Sequence, residues 1–498
     1  MFPRNTLFAL LLLLLLPCVA PAQTPAPSPT PADEFTIVAL PDTQFYSSTY
    51  PQIFAAQTQW IANHVQDQNI KLVAGLGDIV DGGGVQAQWQ NASAAYRLLV
   101  GKVPYMIALG NHDYDQNNPA GRTASTTNFN SFFGPAYYTG ASWYRGSFPT
   151  GSNENFYGVI TVNSRSYLIL VLEFAPRDSA LAWADGIIKA NQNKDIIIVT
   201  HMFTYADNTR ISQCDQNSAA SFGVGQDNNG EDVWWKLVRK YSNVHLVLSG
   251  HVVQGDGTGR RMDLGVNGNL VNQILSDYQS YALGGSGYLR LIRISPSLNR
   301  VSVSTYSPYL DASLTDDHNQ FIVPYHNPGV STAPGTLSGK VKSAVDCTPA
   351  AGVTVAYSGG SAVTDTNGNF SIPANARKSL AITAGKTGWL SDARTGTSTL
   401  NATAEPSPTK IFVSTAGRIS GQVLSTSGVP VIGASVTITG GKLRLSKTVT
   451  SDSTGSYNSS WIAIGPYTVT ASAPGFTSAS ATATVSTGLT TKLNLTLP

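Results

Sequence analysis

Five short polar clusters along the chain could do chemistry together: Asp42-Thr43-Gln44, Gly77-Asp78, Gly110-Asn111-His112-Asp113, His201 and Gly250-His251. Their side chains offer carboxylate, amide and imidazole donors, a set that suits Mn, Fe or Zn. Metal ions held in this way polarise a substrate and activate water, so the constellation is of the hydrolase type. Each cluster follows an apolar run that reads as a buried strand, at 35–40, 72–76, 105–109, 196–200 and 244–249. Ligands gather at the carboxyl ends of strands in an α/β fold. Five strands ending on one edge would therefore bring the five clusters to one place.

The elements that must position them are legible from about 34 to 333, where strand-like runs alternate with helical candidates at 51–67, 86–99, 179–191 and 231–241. That alternation predicts layered helices and sheets. Segments 288–294 and 300–306 alternate apolar and polar residues, as an antiparallel pair with one wet face would, and 272–278 reads as a further strand. From Gly335 the composition shifts to Ser, Thr, Val, Ala and Gly, and one pattern occurs twice. Ser338-Gly339-Lys340-Val341 answers Ser420-Gly421-Gln422-Val423, and Asp365-Thr366-Asn367-Gly368-Asn369-Phe370 answers Asp452-Ser453-Thr454-Gly455-Ser456-Tyr457. The Asp-x-x-Gly-x-aromatic step reads as a tight turn with glycine at positive φ, opening a strand of a small β-sandwich; an Asp-rich calcium loop is the functional alternative.

At the other end, Arg4, the apolar run 7–16 and Ala20-Pro21-Ala22 have the form of a secretory signal cleaved before Gln23. Pro17 before Cys18 argues against a lipid anchor, and 23–33 is a Pro-rich linker. No second apolar segment approaches membrane-spanning length, so a soluble, secreted, periplasmic or cell-surface chain is expected. Charged residues are 12% of the 498 and the net charge is +2, which excludes the basic patch of a nucleic-acid binder. Cys214 and Cys347 fall on different sides of the expected domain boundary, and each reads as an isolated small residue, although the compartment permits a disulfide.

Taken together, the ordered clusters between Phe35 and Pro308 resemble the calcineurin-like metallophosphoesterase superfamily, and 272–279 with 284–308 resemble the tail of a secreted bacterial branch of it. The resemblance implies an α/β four-layer αββα sandwich over 34–333 with two divalent ions at the strand ends. By the same resemblance Asp78 bridges the ions, Asn111, His201 and His251 complete one shell, and Asp42 and Gln44 hold the other. His112 matches the family's catalytic histidine beside the leaving-group oxygen, with Asp113 or Asp81 orienting its ring. The expected reaction is hydrolysis of a phosphate mono- or diester by a metal-bound water or hydroxide. Its substrate would be a phosphate-ester small molecule or a phosphorylated cell-surface or extracellular molecule.

Two departures fall on the same ion. Position 44 is Gln where the family has His, and position 253 is Val where the family's Gly-His-x-His has its second His. The Asp42/Gln44 ion is therefore expected to be weaker and to favour Mn or Mg over Zn, with Gln254 a candidate substitute ligand. A one-ion enzyme, and a cell-surface binding or adhesion protein with an inactive phosphoesterase domain, are the alternatives these departures leave open.

Other groups read more blandly. His245 is expected in the core, Gly82-Gly83-Gly84 as a flexible loop tip, and Trp234-Trp235 packed on the sheet. In the insertion 114–151, Arg122, Tyr137, Tyr138 and Arg145 are candidates to meet substrate, as are Tyr205 and Arg210. The repeats 334–414 and 415–498 resemble carboxypeptidase-regulatory-like and related Ig-type modules, which implies spacing, stabilisation, or contact with glycan or a cell surface.

Overall fold

The computed structural model describes residues 32–115, 125–222, 228–327, 329, 334–375, 379–390, 400–403, 409–441 and 445–498. The expected signal segment and Arg122 lie outside the described residues. Two seven-stranded sheets form the first domain. One contains β1 (Phe35–Leu40), β2 (Ile70–Gly75) and β3 (Tyr105–Ile107). The other contains β4 (Tyr144–Phe148), β5 (Asn155–Val162), β6 (Arg165–Leu172), β7 (Asp195–Thr200), β8 (Val244–Ser249), β9 (Thr258–Leu264) and β10 (Leu270–Ser276). The remaining strands, β11 (Leu289–Ser295), β12 (Arg300–Ser307), β13 (Ala312–Leu314) and β14 (Phe321–Val323), complete the first sheet.

Its order is β13-β12-β11-β1-β2-β3, with β14 also on β12; the second runs β4-β5-β6-β7-β8-β10-β9. β1, β2 and β3 are parallel to one another, and so are β6, β7, β8 and β10. These strands read as unbroken apolar runs because both of their faces are covered. Ile37, Leu72 and Met106 meet Ile169, Ile197 and Leu246 between the sheets. On the outer faces Val38 and Val73 pack under α1 (Pro51–Asn63) and α2 (Gln86–Arg97), while Leu168 and Ile198 pack under α3 (Asp178–Lys189) and α4 (Gly230–Lys236). The result is the expected αββα sandwich.

Two expectations about this domain fail on packing. Gly83 is no flexible tip: its nitrogen donates to the His112 carbonyl, its carbonyl accepts from the Trp89 indole, and a Cβ there would lie 2.0 Å from the Tyr114 carbonyl oxygen. In the described part of the insertion after His112, Tyr137 and Tyr138 pack into core instead of facing a substrate. Tyr138 is buried and stacks with Tyr144 and Phe156, and Tyr137 meets Phe133 and Tyr105 edge-on.

Beyond it, two β-sandwich cores follow, one centred on Leu337, Val355, Phe370 and Ile382, the other on Ile419, Val436, Tyr457 and Val469. A single strand, Thr409–Ser425, runs through both, so the 414/415 boundary falls within continuous backbone. The repeated turn has the same chemistry in each copy. Asp365 Oδ1 accepts from the nitrogens of Asn367 and Asn369, and Asp452 Oδ1 from those of Thr454 and Ser456, with Gly368 and Gly455 at positive φ.

The cysteines are not isolated. Cys214, in the loop after β7, is disulfide-bonded to Cys347 in the first module. Around that bond Lys410 Nζ donates to Asp215 (2.6 Å) and to the Arg210 carbonyl (3.2 Å), and Trp235 packs against the core of the first module.

Candidate metal centre

Seven parallel strands, three from one sheet and four from the other, end at this edge, and five of them deliver the predicted residues. β1 leads to Asp42 and Gln44, β2 to Asp78, β3 to Asn111 and His112, β7 to His201 and β8 to His251. Apart from His112, these side chains are all almost completely buried. Asp42, Asp78 and His251 adopt positive φ, a conformation that costs a non-glycine residue about 1–3 kcal/mol and that clusters at functional sites.

The glycines of the motifs have a steric reason. A Cβ at Gly77 would lie 2.5 Å from His201 Nδ1, one at Gly110 2.1 Å from Asp78 Oδ1, and one at Gly250 2.2 Å from Asp42 Oδ2. Each glycine thus leaves room for a donor delivered by another strand.

Asp78, His201 and His251 each bring a donor atom within 4.8 Å of the others. His201 Nε2 lies 3.1 Å from Asp78 Oδ2 and 3.2 Å from Asn111 Oδ1. Its Nδ1 donates to the Leu76 carbonyl (2.8 Å), and His251 Nε2 donates to the Asn217 carbonyl (3.0 Å). Such outer bonds fix tautomer and ring orientation, leaving His201 Nε2 and His251 Nδ1 free to coordinate. Phe174 and Phe222 pack against the His251 ring at 5.1 and 5.0 Å.

The other half of the site is built from oxygens. Asp42 Oδ1 accepts from the His251 nitrogen (3.1 Å), but Asp42 Oδ2 and Gln44 Oε1 are buried with no hydrogen-bond partner. Buried polar atoms left unpaired are unfavourable, and a cation at this edge would satisfy them, so the residues fit a divalent ion.

Charge points the same way. Burial, and then the charges of Asp277 and Asp78, push the Asp42 carboxyl well above the usual carboxylate range. Burial also acts to raise Asp78, but His201 and His112 hold it well below that range. Asp113 is pushed up to about 7 by burial and the Asp78 charge, and Asp277 to about 7 by burial. Burial and the charge of His201 take His251 down to about 3. Excess buried negative charge is the condition that a bound cation relieves.

His112 sits at the mouth, with its side chain 32% exposed. Its nitrogen donates to Asp78 Oδ1 (2.9 Å), and its Nδ1 donates to the main-chain carbonyl of Asp81 (2.8 Å). Asp113 does not orient the ring. It commits one carboxylate oxygen to the nitrogens of Ile79 and Val80 and the other to that of Gly110, which ties the loops after β2 and β3 together.

Several candidates lie elsewhere. Arg210 is buried and ion-paired with Glu231 and Asp263, with its guanidinium over Trp234. Arg145 Nη1 is folded onto the carbonyls of Ser142 and Tyr144. Gln254 Nε2 donates to Asn217 Oδ1 (2.8 Å), while its Oε1 is buried without a partner. Lys410 lies over the Tyr205 ring at 5.4 Å. As expected, His245 is buried, on β8. One further buried carboxylate is marked by no sequence motif: Asp277, at the end of β10, which runs parallel to β8 at the same edge.

Residues 35–255 match the family model for calcineurin-like phosphoesterases. Over those residues the first domain is similar to calcineurin-like phosphoesterases. Residues 418–498 match the carboxypeptidase regulatory-like domain. Over 282 residues the chain is 32% identical to the uncharacterized protein YvnB of Bacillus subtilis (strain 168), which covers 56% of this chain. The chain spans 20% of the length of that relative. Solved structures similar to it include purple acid phosphatase PPD1 from yellow lupin (TM-score 0.39) and a 5'-nucleotidase precursor from Thermus thermophilus (TM-score 0.33). Each is 14% identical, covers 59% of this chain and is itself covered over 55%. Among the described residues of the first domain and the modules after it, no helix is long and apolar enough to cross a membrane.

Proposed function

We propose that this chain is an exported phosphoesterase that hydrolyses phosphate mono- or diesters at a two-ion site. The observation that carries the reading is the convergence of Asp78, His201 and His251, with His112 fastened through its own nitrogen to the same Asp78 carboxylate. Asn111, His201 and His251 would hold one ion, Asp42 and Gln44 the other, and Asp78 would lie between them as the shared anion. When bound, divalent ions supply Lewis-acid polarisation of the phosphate and a water acidic enough to attack it.

The chain's own groups do the rest. The Asp81 carbonyl holds His112 Nδ1, so the ring presents Nε2 to the leaving oxygen and gives up a proton there as the P–O bond breaks. Asp113 keeps the two loops that carry Asp78 and His112 in register. The disulfide supports export, since such bonds persist in oxidising compartments. The C-terminal modules are assigned no ligand.

Turnover of bis-p-nitrophenyl phosphate and p-nitrophenyl phosphate with added Mn tests the reading, using the chain without residues 1–22. Asp78→Asn should abolish turnover, and His112→Ala should lower kcat by about 10²–10⁴-fold while leaving bound metal unchanged. Absence of both turnover and bound metal would instead favour the adhesion alternative.

A further inference from the structure

The Val253 departure removes a ligand from the second ion and leaves Asp42, Gln44 and the shared Asp78 to hold it. The structure brings another carboxylate to that place. β10 lies beside β8 and parallel to it, with Leu275 opposite Ser249, so Asp277 leaves its strand alongside His251. The loop that carries Val253 closes directly over it. The Asp277 nitrogen donates to the Gly257 carbonyl (2.7 Å), and a Cβ on Gly257 would lie 1.6 Å from the Asp277 carbonyl oxygen.

The Asp277 carboxylate is only half used. Oδ1 accepts from the Gln279 nitrogen (3.0 Å), whereas Oδ2 is buried with no hydrogen-bond partner. Asp42 Oδ2 and Gln44 Oε1 are in the same condition. A cation shared by the three unpaired oxygens resolves all of them at once.

We propose that Asp277 is an anionic ligand of the second ion, supplying from β10 the donor that Val253 cannot supply from the loop after β8. The inference rests on the two-ion reading above. It makes the second shell richer in oxygen than the first, the ligand chemistry of Mn or Mg.

The test reads metal and not turnover. Full-length protein is stripped of metal and dialysed against graded Mn, and bound Mn per chain is counted by elemental analysis alongside its electron paramagnetic resonance spectrum. The unmutated chain should take up two Mn and show a spin-coupled pair. Asp277→Asn keeps the volume and the Gln279 hydrogen bond but loses the charge. It should retain the tight ion and bind the second about 10–100-fold more weakly, so that the uncoupled signal of a single Mn dominates at limiting metal. Asp277→Ala should do the same, and retention of the tight ion, whose ligands come from both sheets, reports an intact fold in either variant.

Two Mn bound with unchanged affinity in both variants would overturn the inference and leave the phosphoesterase reading untouched. Loss of both ions in both variants would also overturn it, by making Asp277 a scaffold residue. A single Mn in the unmutated chain overturns it as well. No Mn at all in that chain would bring down the metal-site reading itself.

Discussion

The two halves of the metal centre share Asp78 but are finished differently. In the imidazole half, Leu76 and Asn217 carbonyls occupy the outward nitrogens of His201 and His251, and Phe174 and Phe222 wall the His251 ring. That half is oriented by protein alone. In the oxygen half, Asp42, Gln44 and Asp277 each present a buried oxygen without a partner. Preorganisation lowers the cost of binding in the first; in the second, binding itself relieves an unfavourable state. The first half should therefore bind tightly and depend on its supports, and the second should bind more weakly and depend on its charges.

The sharpest way to break this contrast is steric. Gly77→Ala drives a methyl to 2.5 Å from His201 Nδ1 and imposes positive φ on a residue with a Cβ. Displacing His201 strikes the tight ion and the shared Asp78 together, so both Mn ions and all turnover should be lost. Gly250→Ala is the matching strike on the other half, with its methyl 2.2 Å from Asp42 Oδ2. The tight ion should survive there, while the second weakens by about 10–100-fold. Equal losses in the two variants, measured as Mn per chain, would show that the halves are not separable.

How much of this was readable beforehand follows the same division. The imidazole half announces itself, because Gly-Asp, Gly-Asn-His-Asp and Gly-His are short motifs at the ends of obvious strands. Asp277 does not. It ends a run read only as a strand, and β9 intervenes in sequence between it and β8, so only the sheet order reveals the adjacency. Arg210 differs from its sequence expectation for a related reason: its partners Glu231 and Asp263 come from other elements, so an arginine just after His201 looks free in one dimension. The disulfide is not legible in the sequence because its cysteines are 133 residues apart and join a loop of the first domain to a β-module.

That disulfide reaches the comparison. Cys214 lies in the same loop as Asn217, whose carbonyl holds His251 and whose side chain accepts from Gln254. Cys347→Ser should lower stability by about 2–4 kcal/mol, read from denaturant unfolding of the C-terminal attachment. If the loop is a support of the imidazole half, the tight ion should weaken by about tenfold, and the second less. An unchanged tight ion in a destabilised protein would confine the bond to a structural role.

The smallest expected effect comes from adding a ligand. Gln44→His places an imidazole where a neutral amide oxygen is buried unpaired. Imidazole suits zinc better than an amide oxygen does, so the second ion's preference should move from Mn toward Zn. The gain should be modest, about tenfold in Zn affinity, because the amide it replaces already faces the site and the anionic ligands Asp42 and Asp78 are unchanged. Competition between Mn and Zn at the second site, with the tight site already filled, measures it. If Asp277 also ligates this ion, the variant should still bind Mn as a spin-coupled pair, since two carboxylates besides Asp78 remain in the shell. A switch to zinc that abolishes Mn binding would mean that Gln44 sets the character of the oxygen half by itself.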